Sequence, residues 1–151
     1  MARTAGAGGV VALAPEAALE LWADVRRWPT FVEGYARTVE VDDAWPAEGA
    51  KVVWESIPGG RGRVTEKVVS KGPARFATQV FEEALQGEQT LRVAEDAEGT
   101  RIELTLEYEL SKYGPLQALA DMIFIRRALR DALRRTLRRF AVEAEEEAAL
   151  E

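Results

Sequence analysis

The chain has 151 residues, 47% of them hydrophobic, with 20 basic against 26 acidic side chains and a net charge of -6. That composition suits a single domain over residues 1–151 with a packed core, and it argues against nucleic acid as the main partner. With no cysteine and no histidine, a disulfide framework, a thiolate zinc site and the usual general base are excluded, so neither a metal nor a cofactor is expected.

No stretch reaches the roughly 18–20 consecutive apolar residues of a membrane span. The first residues, Met1 to Val10, are small but lack the apolar centre of a signal peptide, so a cytoplasmic location is expected. Residues 7–13 end in Val10-Val11-Ala12-Leu13 and read as a strand. Ala14-Pro15-Glu16 then opens a helix whose buried face is Ala18, Leu21, Trp22 and Val25. Pro29 disfavours helical geometry at Trp28, and Thr30 is placed to cap a second short helix over 31–34.

Six further strands follow, at 35–42, 51–57, 63–70, 75–83, 85–94 and 101–110. Pro58-Gly59-Gly60-Arg61-Gly62 turns the second into the third. Trp54 lies on one face of strand 51–57, and Phe76 and Phe81 fall on opposite parities of strand 75–83. On strand 63–70, Val64, Glu66 and Val68 share the apolar parity, so the inward ionisable group is Glu66, an acceptor or a base. In the last strand Ile102, Leu104, Leu106, Tyr108 and Leu110 alternate with charged or polar residues, which predicts one buried and one wet face.

After Pro115 there is no further Gly or Pro, and the composition predicts a helix to about residue 147. Some thirty residues at about 1.5 Å each give a rod of roughly 45–50 Å. Its apolar stripe is Met122, Ile125, Leu129, Leu133, Leu137 and Phe140. A second stripe, Leu116, Leu119, Ala120 and Ile123, would continue into arginines, so the buried face rotates near 122–126. Either a neighbouring segment covers the first turns, or Met122, Ile123, Phe124 and Arg126 border a cavity between helix and sheet. The acidic end, about 145–151, opposes the helix dipole and is expected to fray. The fold class is therefore α+β: a curved antiparallel sheet of seven strands around a long C-terminal helix, with two short helices after the first strand.

Val10-Val11-Ala12-Leu13-Ala14-Pro15-Glu16, then Leu21-Trp22, then Trp28-Pro29 with Phe31 and Tyr35, resemble the opening of the helix-grip superfamily. Glu98-Gly99-Thr100-Arg101-Ile102 and the terminal helix over 129–140 are similar to it as well. That superfamily includes START-related lipid-transfer domains, birch-pollen allergen-type proteins, polyketide cyclases and coenzyme-Q-binding proteins. The resemblance implies a hydrophobic cavity for a lipid, isoprenoid or polyketide-like molecule. With that cavity, the residues the resemblance carries over (Trp28, Phe31 and Tyr35) join those read from the strand and helix patterns (Trp54, Glu66, Phe76, Phe81, Tyr108, Met122 and Ile123) as ligand-binding candidates. Tyr35, Glu66 and Arg126 are the catalytic ones, and Glu66 stands where the cyclases carry an inward arginine.

Two functions follow. One is binding or transport of an apolar small molecule. The other is a polyketide cyclase or dehydratase, whose relatives are thought to use an inward arginine with tyrosine and tryptophan donors. Tyr113, just before the long helix, is either a hinge or a gate. Arg127, Arg130, Arg134 and Arg138 make a basic helix flank that is either simply solvated or docks an acidic partner, such as an acyl carrier protein or an anionic membrane surface.

Overall fold

A computed structural model describes the backbone of residues 3–110 and 115–150, and side chains throughout except those of 115–122. The expectations for Tyr113 and for the Met122 side chain fall outside these described residues. In chain order the elements are β1 (Arg3–Val11), α1 (Pro15–Ala23), a 3-10 turn (Val25–Arg27), α2 (Trp28–Phe31), β2 (Tyr35–Val41), β3 (Lys51–Ser56), β4 (Arg63–Lys71), β5 (Arg75–Phe81), β6 (Leu85–Asp96), β7 (Gly99–Leu110) and α3 (Pro115–Ala149).

The strands form one sheet in the order β1-β7-β6-β5-β4-β3-β2, with every neighbouring pair antiparallel. β7 expresses its alternation directly: Ile102, Leu104, Leu106 and Tyr108 are buried while Arg101, Glu103 and Glu107 are exposed. The wet face of β7 and the dry face under α3 thus come from one period-2 pattern. At β6 the inward position opposite Tyr108 is Gly87, where a Cβ would lie 2.0 Å from the Glu107 carbonyl oxygen. No other residue allows that approach of the two backbones.

Four local expectations are corrected. β1 begins at Arg3 and ends at Val11, because it pairs with β7 along its whole length, from Arg3 opposite Tyr108 to Val11 opposite Thr100. Leu13 leaves the ladder but stays buried, its carbonyl accepting from Thr100 Oγ1 at 2.6 Å. The second short helix is Trp28–Phe31, with Pro29 inside its first turn and Trp28 itself helical. Pro29 needs no N–H there, and Thr30 donates its hydroxyl to the Arg27 carbonyl at 2.6 Å instead of capping.

In β2, Thr38 and Glu40 alternate with Val39 and Val41 in sequence, which predicts a buried face that the strand does not show. Only Tyr35 is half-buried and the other six residues are exposed, as suits an edge strand whose register shifts twice against β3.

At the C-terminal end the acidic residues lie in the helix, where a frayed tail was expected. α3 continues to Ala149, Ala144 is fully buried, and the Arg27 guanidinium bridges Glu143 at 2.8 Å and Glu147 at 3.0 Å. An opposed dipole is a surface effect of at most about 1 kcal/mol, and apolar packing with these two ion pairs outweighs it. On the buried side of α3, Leu133, Leu137, Phe140 and Ala144 meet the core, and Phe140 contacts Trp22 and Phe31 edge-on at 5.3 and 5.1 Å. Among the described residues no helix is long and apolar enough to cross a membrane.

Candidate functional site

Three adjacent strands place three polar side chains together on the concave face. Trp54 on β3, Glu66 on β4 and Thr78 on β5 are diagonal neighbours, because Glu66 pairs with Val52 and Val80, one inward step from each. Trp54 Nε1 donates to Glu66 Oε2 at 2.8 Å, and Thr78 Oγ1 hydrogen-bonds Glu66 Oε1 at 2.9 Å. Glu66 is only 5% exposed. Among the described residues no Lys or Arg comes within ion-pair distance of it. A carboxylate can accept about four hydrogen bonds, so two fixed donors orient it and leave acceptor capacity free.

That capacity lines a cavity of about 60 Å³ under α3. Trp22, Trp28 and Trp54 form its aromatic walls, with Glu66, Gln89, Leu104 and Leu106 on the sheet side. Leu129, Ala132, Leu133 and Thr136 of α3 close it from above. Arg61, from the β3–β4 turn, reaches the rim with its guanidinium 5.3 Å from the Trp54 ring centroid, while its Nε donates to Glu82 Oε2 at 2.5 Å.

Behind this wall the aromatics hold one another. Tyr35 stacks on Trp54 at 5.1 Å, and Trp28 meets Tyr35 and Trp45 edge-on at 6.3 and 5.8 Å. Trp28 Nε1 donates to the Trp22 carbonyl and Trp45 Nε1 to the Ala23 carbonyl, both at 2.8 Å. With the Trp54 bond to Glu66, the indoles of Trp28, Trp45 and Trp54 each have the N–H satisfied. The Tyr35 hydroxyl bonds Thr38 Oγ1. Burial pushes the Tyr35 phenol up, the Thr38 hydrogen bond opposes this, and the Glu66 charge adds to the rise. Tyr108 is different: its hydroxyl is buried and has no hydrogen-bond partner among the described residues. Burial raises its pKa, partly offset by the charges of Arg3 and Arg126.

Of the ligand candidates, Trp28, Trp54 and Glu66 line the cavity, and Tyr35 supports it from behind. Phe31 is fully buried in the packing of Trp22 and Phe140. Phe76 is also packed, against Trp45 at 6.0 Å, and Tyr108 is buried but is not among the described residues that line the cavity.

Two candidates are corrected outright. Phe81 is 40% exposed, because Phe76 and Val80 hold the inner positions of β5 and its parity is the outer one. Ile123 is 65% exposed, and its neighbour Phe124 72%, because the buried face of α3 has turned away from them. Arg126 is exposed as well, and its charge is felt at Tyr108.

Arg61, Gln89 and Thr136 line the cavity without having been expected there, and Thr78, which holds Glu66 from β5, was not expected either. For Thr78 the signal was available: it shares the inward parity of Phe76 and Val80. Arg61 sits in a glycine turn, where no periodicity reports direction. A larger, open groove of about 1170 Å³ runs between α1 and the loops around Trp45 and Pro73. Its rim carries Glu16, Glu20, Asp42, Asp43, Lys71 and Arg75. It shares no wall with the Glu66 cavity and contains none of that cavity's buried polar groups.

The family model described as polyketide cyclase / dehydrase and lipid transport matches residues 9–145. No curated protein matches the chain. Among solved structures, the fold is similar to the di-domain ARO/CYC StfQ from the steffimycin biosynthetic pathway, at 16% identity and a TM-score of 0.78. The match covers 98% of this chain but 52% of that one, so the chain spans about half the length of StfQ. A protein from Thermus thermophilus is similar at 18% identity and a TM-score of 0.73, with 98% and 97% of the two chains covered. Norcoclaurine synthase from Thalictrum flavum, solved with a transition-state analogue, is similar at 12% identity and a TM-score of 0.70, with 95% and 94% covered. At these identities the structures share the fold.

Proposed function

We propose that this chain, which belongs to the polyketide cyclase / dehydrase and lipid transport family, binds a hydrophobic small molecule between its concave sheet and α3. The observation that carries this reading is Glu66: a buried carboxylate held by Trp54 and Thr78, facing a tryptophan-walled cavity without an ion-pair partner among the described residues. A hydrogen-bond donor at one end of an otherwise apolar ligand would satisfy its free acceptor capacity.

Magnitude constrains how this occurs. The described walls enclose about 60 Å³, whereas sites for drug-sized ligands are roughly 300–1,000 Å³. Binding therefore requires Leu129 and Leu133 of α3 to move outward, and the ligand replaces their contacts with the sheet. A cytoplasmic location belongs to the same reading.

One observation favours the second reading, a cyclase or dehydratase acting on a poly-β-ketone. Arg61 and Tyr35 both lie against the Trp54 ring, so a charge-assisted donor and a phenol lie near a carboxylate able to take a proton. Glu82 already neutralises Arg61, which weakens it as an enolate stabiliser and makes binding the preferred function. In the cyclase reading an acyl carrier protein would present the substrate, with Arg127, Arg130, Arg134 and Arg138 as its contact.

Native mass spectrometry of the purified protein, followed by extraction, tests the binding reading. A co-purifying apolar molecule, or a lipid or naphthalene probe whose binding is lost in Ala132→Trp, is the expected result. An apo mass that no member of such a panel shifts overturns it. Incubation with a poly-β-ketone mimic separates the two functions, since only an enzyme changes the mass of the released ligand.

A further inference from the structure

The buried face of α3 is accounted for by the sheet, and part of its outer face by Glu33, which pairs with Arg135 at 3.2 Å and Arg139 at 2.5 Å. A third flank remains. Ile123, Arg127, Arg130, Arg134 and Arg138 follow one another at steps of four, three, four and four, so they share one side of the helix. From first to last they span about 22 Å at 1.5 Å per residue. All five are exposed, and among the described residues none of the four arginines is in an ion pair.

At the N-terminal end of this flank Ile123 and Phe124 project into solvent, 65% and 72% exposed. Seven arginines and one acid, Asp131, lie between residues 126 and 139 of a chain whose net charge is -6. Positive charge is thus concentrated on one side of an acidic molecule, next to two bare apolar side chains.

We propose that this flank of α3 docks the protein on an anionic lipid bilayer, with Ile123 and Phe124 entering the headgroup–acyl boundary and Arg127, Arg130, Arg134 and Arg138 meeting lipid phosphates. A straight helix offers a flat line of guanidinium forks, which match phosphate oxygens bidentately. An aromatic and an aliphatic residue beside basic positions form the pattern of a helix lying in a membrane interface. Exposed Phe and Ile favour a bilayer over an acidic protein, because the flank then buries apolar area as well as pairing charge. The basic stripe alone would serve either.

Vesicle flotation with the full-length protein tests this, using phosphatidylcholine vesicles with and without about a third phosphatidylglycerol. Binding is expected with the anionic vesicles and not with the neutral ones, and it should weaken about fivefold for each arginine changed in Arg130→Gln and Arg134→Gln. Raising the salt to about 1 M, where the screening length falls to about 3 Å, should release the protein.

Insertion has its own readout. The chain has no cysteine, so Phe124→Cys accepts a single environment-sensitive fluorophore, whose emission should shift to the blue on anionic vesicles. Equal binding to neutral vesicles, unchanged binding of the arginine variants, or a label that stays in water would each overturn the proposal. So would failure to bind vesicles while an acidic protein is bound through the same arginines.

Discussion

The indole N–H of Trp54 donates to Glu66 at 2.8 Å across two neighbouring strands, and Thr78 completes the hold from the third. A carboxylate on the concave face of the sheet is thereby fixed in direction by neutral donors. Trp54→Phe keeps the ring against Tyr35 and deletes only the N–H. Urea unfolding should show a loss of about 1–3 kcal/mol, the cost of leaving a buried acceptor short of a donor.

Thr78→Val removes the other donor, and the two substitutions act on one carboxylate. Their combined effect should depart from the sum of the single effects by about 0.5 kcal/mol or more. Strict additivity in the double variant would mean that Glu66 is not the shared partner.

Tyr108 carries a buried hydroxyl with no partner among the described residues, and burial pushes its phenol up despite Arg3 and Arg126. Keeping this phenol neutral contributes stability that is fully present below the unfolded value of about 10 and is lost as the pH rises through the higher folded value. The absorbance near 295 nm that reports tyrosinate should therefore retain a component titrating above pH 10 in the folded protein. Tyr108→Phe should shrink that component, leaving the part contributed by the Tyr35 phenol, which is also raised, and should flatten the alkaline loss of stability. At neutral pH it should leave stability unchanged or slightly increased, because no hydrogen bond to a described residue is given up.

Arg27 anchors the last turns of α3 through Glu143 and Glu147, with about a third of its own side chain exposed. Arg27→Met should cost about 1 kcal/mol, within the range of partly screened pairs, and the loss should shrink at high salt. Amide hydrogen exchange would then report faster exchange between residues 143 and 149, while the sheet keeps its protection. Rapid exchange of these amides already in the unaltered protein would show that the ion pairs do not order the end of the helix.

The order of elements and most of the core were legible in local patterns of residues. The alternation from Ile102 to Tyr108 and the stripe from Leu129 to Phe140 are statements about which face meets water, and burial follows them closely. Parity likewise put Glu66 inward with Val64 and Val68. A period of two or of 3.6 residues needs no knowledge of the partner element.

Whatever depends on the element lying opposite became visible only in three dimensions. Phe81 and Ile123 are apolar, yet they face outward, because the face that meets the opposite element is held by Phe76 and Val80 in β5 and by Leu133, Leu137 and Phe140 in α3. The length of β1 was set by β7, the exposure of β2 by its place at the edge, and the order of the acidic tail by Arg27, far away in the chain. The cavity is the same kind of quantity. Its volume of about 60 Å³ is the remainder left after strands, helices and their side chains have packed, and local sequence patterns report directions, not remainders.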